Sequence, residues 1–493
     1  MRAELTNNVA SFLAKPVQHF IGGQFTAGKS GNTAQVVNPS DGAPLATIAM
    51  GGAAEIDEAV AAAWKAFPSW SALLPNERAV KLHRFAELLE KHAADLALLE
   101  SLDVGKAITA AEGFDVPFGI ECLRYFADLS TRAHYDIPLA IKNIEARTHR
   151  VPYGVCAFVF PWNFPFTLLM WGIAPALAAG NTVVVKPSEV TPLSSLFTAR
   201  LAAEAGIPDG VINMVNGDGP SAGAALSGHP KIKRMSFTGS PEVGKKIGEI
   251  CGRNLVPCKL ELGGKGAAVV FDDVNVSETA QKLAGAITLN TGQVCCTATR
   301  WFVHERIYDE LVDKAVHALK ETKVGAGTLR DTQMGPLVSK TQQDRVARYL
   351  ENGVKQGAQV ILPGGTKAPH GCEGGFYVQP SLLAGAPDNV CCREEIFGPS
   401  AFLVKFKDEN AAVSLVNQLA YGLANSVWTS DLKRASRIAE QMVAGNSWIN
   451  AHNVFAYGLP YGGVNLSGLG GGVNSPETFH DYLRSQTIAR PLG

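Results

Sequence analysis

The strongest constraint on the fold is a regular alternation of strand-like and helix-like segments that begins near Gly154. Short apolar runs are separated by segments with helical apolar spacing. The strand-like runs are VCAFVF, TVVVKPS, VINMVNG and IKRMSFTG, and the helical segments between them cover residues 166–179, 192–205 and 220–227. Strands that alternate with helices of this length form a parallel sheet with crossover helices. Ligand sites in such sheets lie at the carboxyl ends of the strands.

A second series of this kind follows from Gly266, beginning with the strand-like runs AAVVF and WFVHERI. A chain of 493 residues is too long for one hydrophobic core, so it divides into two or three domains. Residues 18–50 have the short runs and turns of a small β-meander, and residues 55–102 and 118–132 have the apolar period of amphipathic helices. The predicted fold class is α/β, with two doubly wound parallel-sheet domains.

One segment imitates a membrane span, because no charged residue lies between Arg150 and Lys186. The same segment contains four prolines and Asn163, which a single membrane helix tolerates poorly. We predict a buried strand, a turn bounded by proline and a buried helix instead. Lys plus Arg (44) nearly balances Asp plus Glu (45), so the charge does not favour nucleic acid or a membrane surface as a partner.

The nine cysteines are an odd number and have no framework spacing. This pattern predicts free thiols in a reducing compartment. The amino-terminal stretch MRAELTNNVASFLAKP lacks an apolar core of signal-peptide length. We therefore predict a cytoplasmic protein.

Two cysteines, Cys295 and Cys296, are adjacent within NTGQVCCTATR, residues 290–300. Zinc ligands are usually spaced further apart and have a second Cys or His pair nearby, so we expect no metal site. The pair is either two buried apolar residues or a reactive thiol with its neighbour. Because residues compatible with a helix follow, we predict that one cysteine lies where a loop enters a helix, where backbone N–H groups would lower the thiol pKa.

Two motifs upstream carry complementary chemistry. LELGGKG, residues 260–266, places Glu261 before a Gly-Gly pair, and PWNFP, residues 161–165, contains Asn163. A thiol, a carboxylate and a side-chain amide are the groups needed to form an acyl-enzyme, stabilise its oxyanion and hydrolyse it.

Together with FTGSPEVG at residues 237–244 and EEIFGP at residues 394–399, these motifs resemble the aldehyde dehydrogenase superfamily over residues 20–490. The resemblance implies a hydrolytic, non-CoA-acylating oxidoreductase that converts an aldehyde to its carboxylic acid with NAD(P). It also implies a Rossmann-like dinucleotide-binding domain, a catalytic domain and a small β extension for assembly into a homodimer or homotetramer. The corresponding boundaries are 1–128 with 151–260, then 261–462, and finally 129–150 with 463–493.

Matched residue by residue, the resemblance makes Cys295 the nucleophile, which would form a thiohemiacetal and then a thioester. The Asn163 amide and the Cys295 N–H would hold the oxyanion. Glu261 would activate water to hydrolyse the thioester, and we expect the Gly263-Gly264 pair to give the loop freedom to move. The presence of Glu261 favours hydrolysis over acyl transfer to CoA.

The cofactor residues follow from strand ends and from the resemblance. Gly239 and Ser240 end a strand-like run before Pro241, where exposed helix N–H groups can face a pyrophosphate. Lys186 and Glu189 match the family position at the adenosine ribose. A carboxylate there accepts hydrogen bonds from both ribose hydroxyls and repels a 2′-phosphate. We therefore expect NAD, with NADP left open.

The family further assigns Glu395 to the nicotinamide ribose and Phe397 to packing beside the nicotinamide, and Trp162 joins the cofactor-binding set. The aldehyde tunnel of the family corresponds here to Phe118, Trp171, Phe455 and Tyr461, with Val294 and Cys296 flanking the nucleophile. None of these residues is Arg or Lys. An uncharged aromatic or aliphatic aldehyde is therefore favoured over a dicarboxylate semialdehyde, which needs a cationic anchor.

Three alternatives stay open. One is a semialdehyde dehydrogenase of the same family, and another is a noncatalytic protein on this fold. The third is a cysteine-dependent acyl hydrolase or transferase without a redox step, which needs a histidine base near the thiol. None of the eleven histidines stands in a recognisable partner motif. One departure is also clear, because many relatives continue YGGVNLSG with Gly-Arg-Glu, whereas this chain has GLGGGVNSPE.

Overall fold

The computed structural model describes residues 5–492. Its helices are α1 (Asn7–Leu13), α2 (Ala53–Ser71), α3 (Pro75–Lys91), α4 (Ala93–Val104), α5 (Ile108–Ala110), α6 (Val116–Arg132), α7 (Pro165–Ala178), α8 (Leu193–Glu204), α9 (Ala224–Gly228), α10 (Pro241–Arg253), α11 (Val276–Thr288), α12 (Tyr308–Lys320), α13 (Lys340–Lys355), α14 (Val390–Arg393), α15 (Glu409–Val416), α16 (Leu432–Gln441) and α17 (Pro476–His480). Short π-helical segments cover Ala111–Asp115 and Gly219–Gly223, and a 3₁₀ turn covers Leu289–Gly292.

The strands are β1 (His19–Ile21), β2 (Gln24–Thr26), β3 (Thr33–Val37), β4 (Pro44–Ala49), β5 (Asp136–Ile141), β6 (Ile144–Pro152), β7 (Val155–Val159), β8 (Thr182–Lys186), β9 (Ile212–Met214), β10 (Arg234–Thr238), β11 (Cys258–Glu261), β12 (Gly266–Val270), β13 (Ala298–His304), β14 (Gln359–Gly365), β15 (Gln379–Ala384), β16 (Ser400–Phe406), β17 (Tyr421–Gly422), β18 (Ala424–Trp428), β19 (Asn446–Ile449), β20 (Val464–Asn465), β21 (Gly468–Leu469) and β22 (Leu483–Pro491).

The first sheet has eight strands in the order β2-β1-β9-β8-β7-β10-β11-β21. The strands from β9 to β11 run parallel, as the alternation predicted. Strands β7 and β8 are buried along their whole length, because helices cover both faces of a parallel sheet. The predicted β-meander is only partly right, since β1 and β2 extend this sheet whereas β3 and β4 form a separate pair.

The second sheet has seven strands in the order β14-β15-β16-β13-β12-β18-β19. All of its neighbouring strands are parallel except β14, which pairs antiparallel with β15 at the edge. The predicted α/β class with two parallel sheets is therefore confirmed. Strand β11 leads through residues 262–265 into β12, so this turn connects the two sheets directly.

The uncharged segment folds as β7, a turn, α7 and β8. Burial within the first sheet and its covering helix explains the absence of charge. Across residues 5–492, no helix is both long enough and apolar enough to cross a membrane.

A three-stranded antiparallel sheet in the order β22-β6-β5 stands apart from the two large sheets. Strand β22 pairs with β6 from Leu483 opposite Pro152 to Pro491 opposite Ile144. Beyond Leu483 every residue of β22 is exposed. The two segments assigned to the β extension thus meet in one sheet, although they are far apart in the sequence.

Candidate active site

The carboxyl ends of the parallel strands β7, β10 and β11 open into one cavity of about 280 Å³. The turn after β7 supplies Asn163, the turn after β10 supplies Gly239 and Ser240, and β11 ends on Glu261. The loop before β13 of the second sheet supplies Cys295. The predicted candidates that line this cavity are Trp162, Asn163, Trp171, Gly239, Ser240, Glu261, Val294, Cys295, Cys296, Glu395, Phe397, Phe455 and Tyr461.

The loop that carries Cys295 is held in an unusual conformation. Asn290, Thr291 and Gly292 have φ angles of 47°, 58° and 71°, so three consecutive residues are left-handed. A Cβ on Gly292 would lie 2.2 Å from the carbonyl oxygen of Gly398, so only glycine fits there. The buried Gln293 amide donates to Asn290 O at 3.0 Å and accepts from the Val338 N–H at 2.9 Å, which anchors the loop.

The prediction that a helix follows the cysteines is wrong. Helix α11 ends at Thr288, and residues 298–304 form β13, which pairs with β12 and β16. Pairing with two neighbouring strands outweighs the local compatibility of Thr297 and Ala298 with a helix. The expected effect on the thiol is wrong as well, since the adjacent Cys296 thiol and burial raise the pKa of Cys295.

Asn163 is tied to the nucleophile loop from both sides. Its side-chain amide nitrogen donates to the Gln293 backbone carbonyl oxygen at 3.0 Å, and its backbone carbonyl oxygen accepts from the Asn290 side chain at 2.9 Å. The side chain is 4% exposed. One amide hydrogen orients the group, and the second is left for a ligand in the cavity.

Glu261 is buried, and within residues 5–492 no side chain donates to its carboxylate oxygens, although the backbone N–H of Gly463 is close enough to lower the pKa of the carboxyl group. Burial raises the pKa of Glu261 well above its ordinary value, and the positive charge of Lys259 opposes that rise. A buried carboxyl group without side-chain partners can exchange a proton with water in the cavity.

The Gly263-Gly264 pair has a steric role that the sequence did not indicate. A Cβ on Gly263 would lie 2.3 Å from a carboxylate oxygen of Glu395, and a Cβ on Gly264 would lie 2.4 Å from the Cys295 carbonyl oxygen. Close approach is therefore one reason why both positions need glycine, and freedom of the loop stays a prediction.

One half of the cavity is an aromatic compartment beside the nucleophile. The Tyr461 hydroxyl lies 3.3 Å from the Cys295 sulfur, and the Tyr461 ring lies 5.5 Å from Trp171 and 5.3 Å from Phe455 between centroids. The Cys296 thiol donates to the Asn453 side chain at 3.4 Å. Such a compartment suits an apolar group attached to a reacting carbonyl.

The other half has the groups that a dinucleotide needs. Ser240 caps α10 and accepts from Val243 N, and Pro241 is the first residue of the helix, so the helix start faces the cavity at Gly239 and Ser240. The Trp162 and Phe397 rings meet edge to face with centroids 5.3 Å apart. A helix start for phosphate, apolar rings and the Glu395 carboxylate together fit a nicotinamide dinucleotide.

The sequence model of the aldehyde dehydrogenase family matches residues 25–488. The chain belongs to this family. It is 41% identical to a phenylacetaldehyde dehydrogenase from Pseudomonas fluorescens, over 93% of each chain. The NAD+ complex of an aldehyde dehydrogenase from Bacillus cereus is 36% identical, with a TM-score of 0.97 and 100% of each chain covered. A mutant of aldehyde dehydrogenase C from Pseudomonas syringae, complexed with NAD+ and octanal, is 33% identical, with a TM-score of 0.93 and coverage of 99% of this chain and 98% of that one.

Three predicted site residues of this aldehyde dehydrogenase do not line the cavity. Phe118 lies behind the aromatic compartment, where its ring stacks on Tyr457 at 4.5 Å and packs on Trp171 at 6.0 Å. Lys186, the last residue of β8, is buried and donates to the carbonyl oxygens of Pro187 and Gly217 and to Glu189 at 3.0 Å. All three N–H donors of Lys186 are therefore used, and Lys186 holds Glu189 at the end of β8.

The sequence missed two aromatic residues of the dehydrogenase, Phe114 and Tyr457. Phe114 lines the cavity, and its ring stacks on Phe118 at 4.9 Å. The Tyr457 hydroxyl donates to the Phe118 carbonyl oxygen, which fixes the back of the compartment. Their positions next to Phe118 and Phe455 in the sequence were the available signal.

The sequence also missed His452, which bears on the hydrolase alternative. One ring nitrogen donates to the Cys296 carbonyl oxygen at 2.8 Å, and the other accepts from the Ser426 hydroxyl at 2.9 Å. Burial lowers the pKa of His452 to about 4. Both nitrogens are engaged, so His452 supports the cysteine loop and is unsuited to be a base for the thiol.

The predictions of the family, the fold and an aldehyde-oxidising enzyme are therefore confirmed for this dehydrogenase. The alternative hypothesis of an acyl hydrolase or transferase without a redox step is not favoured.

Proposed function

We propose that this enzyme oxidises uncharged aromatic or aliphatic aldehydes to carboxylic acids with NAD, using Cys295, Asn163 and Glu261. The observation that carries the proposal is that these three side chains line one cavity whose substrate half is aromatic. Membership of the family supports the reaction type, and the residues that line the cavity support the assignment of their roles.

In the first step the Cys295 thiol loses its proton to water in the cavity, the resulting thiolate attacks the aldehyde carbonyl carbon, and the electron pair of the C=O bond moves to the carbonyl oxygen, which becomes negatively charged. The free hydrogen of the Asn163 amide and the Cys295 N–H are the donors for that oxygen. Because Asn163 and the cysteine loop are already hydrogen-bonded to each other, the donors are positioned before the substrate binds. Fixed donors avoid the cost of reorganisation during the reaction.

NAD, when bound, supplies the two-electron oxidant that converts the thiohemiacetal to a thioester. The start of α10 at Gly239 and Ser240 would hold its pyrophosphate, and Trp162 and Phe397 would pack beside the nicotinamide. Glu189, held by Lys186, would accept the adenosine ribose hydroxyls, and Glu395 those of the nicotinamide ribose. The Glu189 carboxylate at the adenosine ribose favours NAD, with NADP as the weaker alternative.

In the last step Glu261 takes a proton from a water molecule, the oxygen of that water attacks the thioester carbon, and the Cys295 thiolate leaves. The raised pKa of Glu261 makes this step depend on pH. Because only the ionised carboxylate can accept the proton, hydrolysis should become faster as the pH rises through that pKa.

The substrate preference rests on the aromatic compartment. Its walls contain Trp171, Phe455, Tyr461 and Phe114, with Phe118 packed behind them. Among the described residues that line the cavity, the one basic side chain is Arg345, which donates to the Glu395 carbonyl oxygen on the cofactor side. A phenyl ring or an alkyl chain suits this environment better than a second carboxylate, which disfavours the semialdehyde alternative.

The organisation of the enzyme is proposed in the same way. Residues 1–128 and 151–260 form the dinucleotide-binding domain, residues 261–462 form the catalytic domain, and residues 129–150 and 463–493 serve assembly into a homodimer or homotetramer. The exposed strands of the β22-β6-β5 sheet support this role. The free cysteines support a reducing compartment, and we place the enzyme in the cytoplasm.

The test mixes the pure enzyme with NAD and benzaldehyde, phenylacetaldehyde, octanal or succinic semialdehyde while the absorbance of reduced nicotinamide is followed. We expect turnover of the three uncharged aldehydes and little of the semialdehyde. Glu261→Gln should retain a burst of one reduced cofactor per site and lose about 10² to 10⁴-fold in turnover. The exposed Glu249→Gln is the matched control. Full turnover by Glu261→Gln would remove Glu261 from the mechanism.

A further inference from the structure

The cation nearest to Glu261 along the chain is Lys259, two residues earlier on β11. Side chains two apart on a strand point to the same face, so Lys259 and Glu261 share one side of the sheet. Both are buried, and the Lys259 side chain is 1% exposed. A buried lysine is costly unless other groups balance its charge.

Asp481, which lies between α17 and β22, holds the ammonium group of Lys259. The Lys259 nitrogen lies 2.8 Å from an Asp481 carboxylate oxygen and also donates to the Gly472 carbonyl oxygen. The Glu261 carboxylate lies beside Gly462, which packs against Gly472. A Cβ on Gly462 would lie 2.6 Å from the Gly472 Cα and 3.0 Å from a Glu261 carboxylate oxygen. Gly472, whose carbonyl oxygen accepts from Lys259, therefore lies close to the carboxylate of Glu261.

The charges of this cluster do not balance without Glu261. Arg234 on β10 is also buried and lies 3.7 Å from the same Asp481 oxygen. Two cations therefore share one aspartate, which leaves one positive charge in excess. An ionised Glu261 supplies the missing negative charge.

We propose that Lys259 is a positioning residue for Glu261, whose ammonium group, held by Asp481, balances the Glu261 carboxylate when Glu261 acts as a base. This inference rests on the proposed role of Glu261 in hydrolysis. The groups that face Glu261 are Lys259 from its own strand and Cys295 from the nucleophile loop, and Arg234 and Asp481 lie beyond Lys259. The ionised Cys295 acts in the opposite direction to Lys259. Lys259 is therefore the charge that favours the ionised form of Glu261, which is the form that acts as a base.

The test measures turnover and the burst of reduced cofactor across pH for the full-length enzyme with NAD and a good aldehyde. Lys259→Met should shift the acid limb of turnover to higher pH by about one unit or more, because a nearby opposite charge lowers a carboxyl pKa by about that amount. The burst should persist, since acylation does not use Glu261. Lys259→Arg retains the charge and should restore most of the wild-type profile.

Lys282→Met is the matched control, because Lys282 forms a half-exposed pair with Glu278 on α11 and its loss should leave the profile unchanged. If Lys259→Met fails to fold, Lys259→Gln removes the charge and retains a donor for Gly472. A folded neutral variant with the wild-type acid limb would overturn the inference. If Glu261→Gln instead turns over normally, the proposed role of Glu261 fails, so the two failures are distinguishable.

Discussion

Gly264 lies in the turn that joins β11 to β12, and replacing it with alanine tests how tightly this turn packs on the nucleophile loop. A Cβ at this position would lie 2.4 Å from the Cys295 carbonyl oxygen and 3.2 Å from the Leu423 Cβ. The first contact is with backbone, so no side-chain rotation relieves it. The Gly264 N–H also donates to Glu395 at 2.8 Å, which limits movement of the turn away from the loop.

Overpacking of this kind costs about 1–3 kcal/mol of stability. The displaced group is the backbone of the nucleophile itself, and a misplacement of about 1 Å can cost on the order of 100-fold in rate. We therefore expect Gly264→Ala to lower the free energy of unfolding by about 1–3 kcal/mol. Its kcat/KM should fall by roughly 10 to 100-fold.

The assays are steady-state reduction of NAD and urea unfolding followed by tryptophan fluorescence. Gly252→Ala is the control, because a Cβ there meets no heavy atom within 4 Å on α10. Its activity should be unchanged, and its stability should rise by up to about 1 kcal/mol through helix propensity. Wild-type rate and stability in Gly264→Ala would refute the steric reasoning.

Four further substitutions test single groups of the site. Cys295→Ser should abolish reduction of NAD, whereas Cys296→Ser should only modify its rate, and the reverse result would contradict the assignment of the nucleophile. Tyr461→Phe removes a hydrogen bond that lowers the pKa of Cys295. The apparent pKa in the pH profile of the burst rate should then shift to higher pH, and an unchanged profile would exclude this role of Tyr461. Glu189→Gln removes the charge that repels a 2′-phosphate, so the ratio of kcat/KM for NADP to that for NAD should increase by several-fold, on the order of 1 kcal/mol; a constant ratio would place cofactor choice elsewhere.

Much of the architecture was predictable because its signals are local. The apolar runs of β7 and β8 and the helical periods of α2 and α6 appear directly in the sequence, and strands that alternate with crossover helices lead to parallel sheets. The prediction failed for the residues after Cys296. Three residues there are compatible with a helix, but the segment forms β13, which pairs with β12 and β16. Pairing partners are distant in the sequence, so no local pattern revealed them.

The sequence by itself determined the reactive groups, since a thiol, a carboxylate and an amide in these motifs identify an aldehyde-oxidising site. Only the tertiary structure decided how those groups behave. The raised pKa values of Cys295 and Glu261, the engaged nitrogens of His452 and the shared aspartate of Lys259 arise from burial and from contacts between distant segments. Desolvation and close packing depend on which atoms surround a group in space, and the order of residues along the chain does not contain that information.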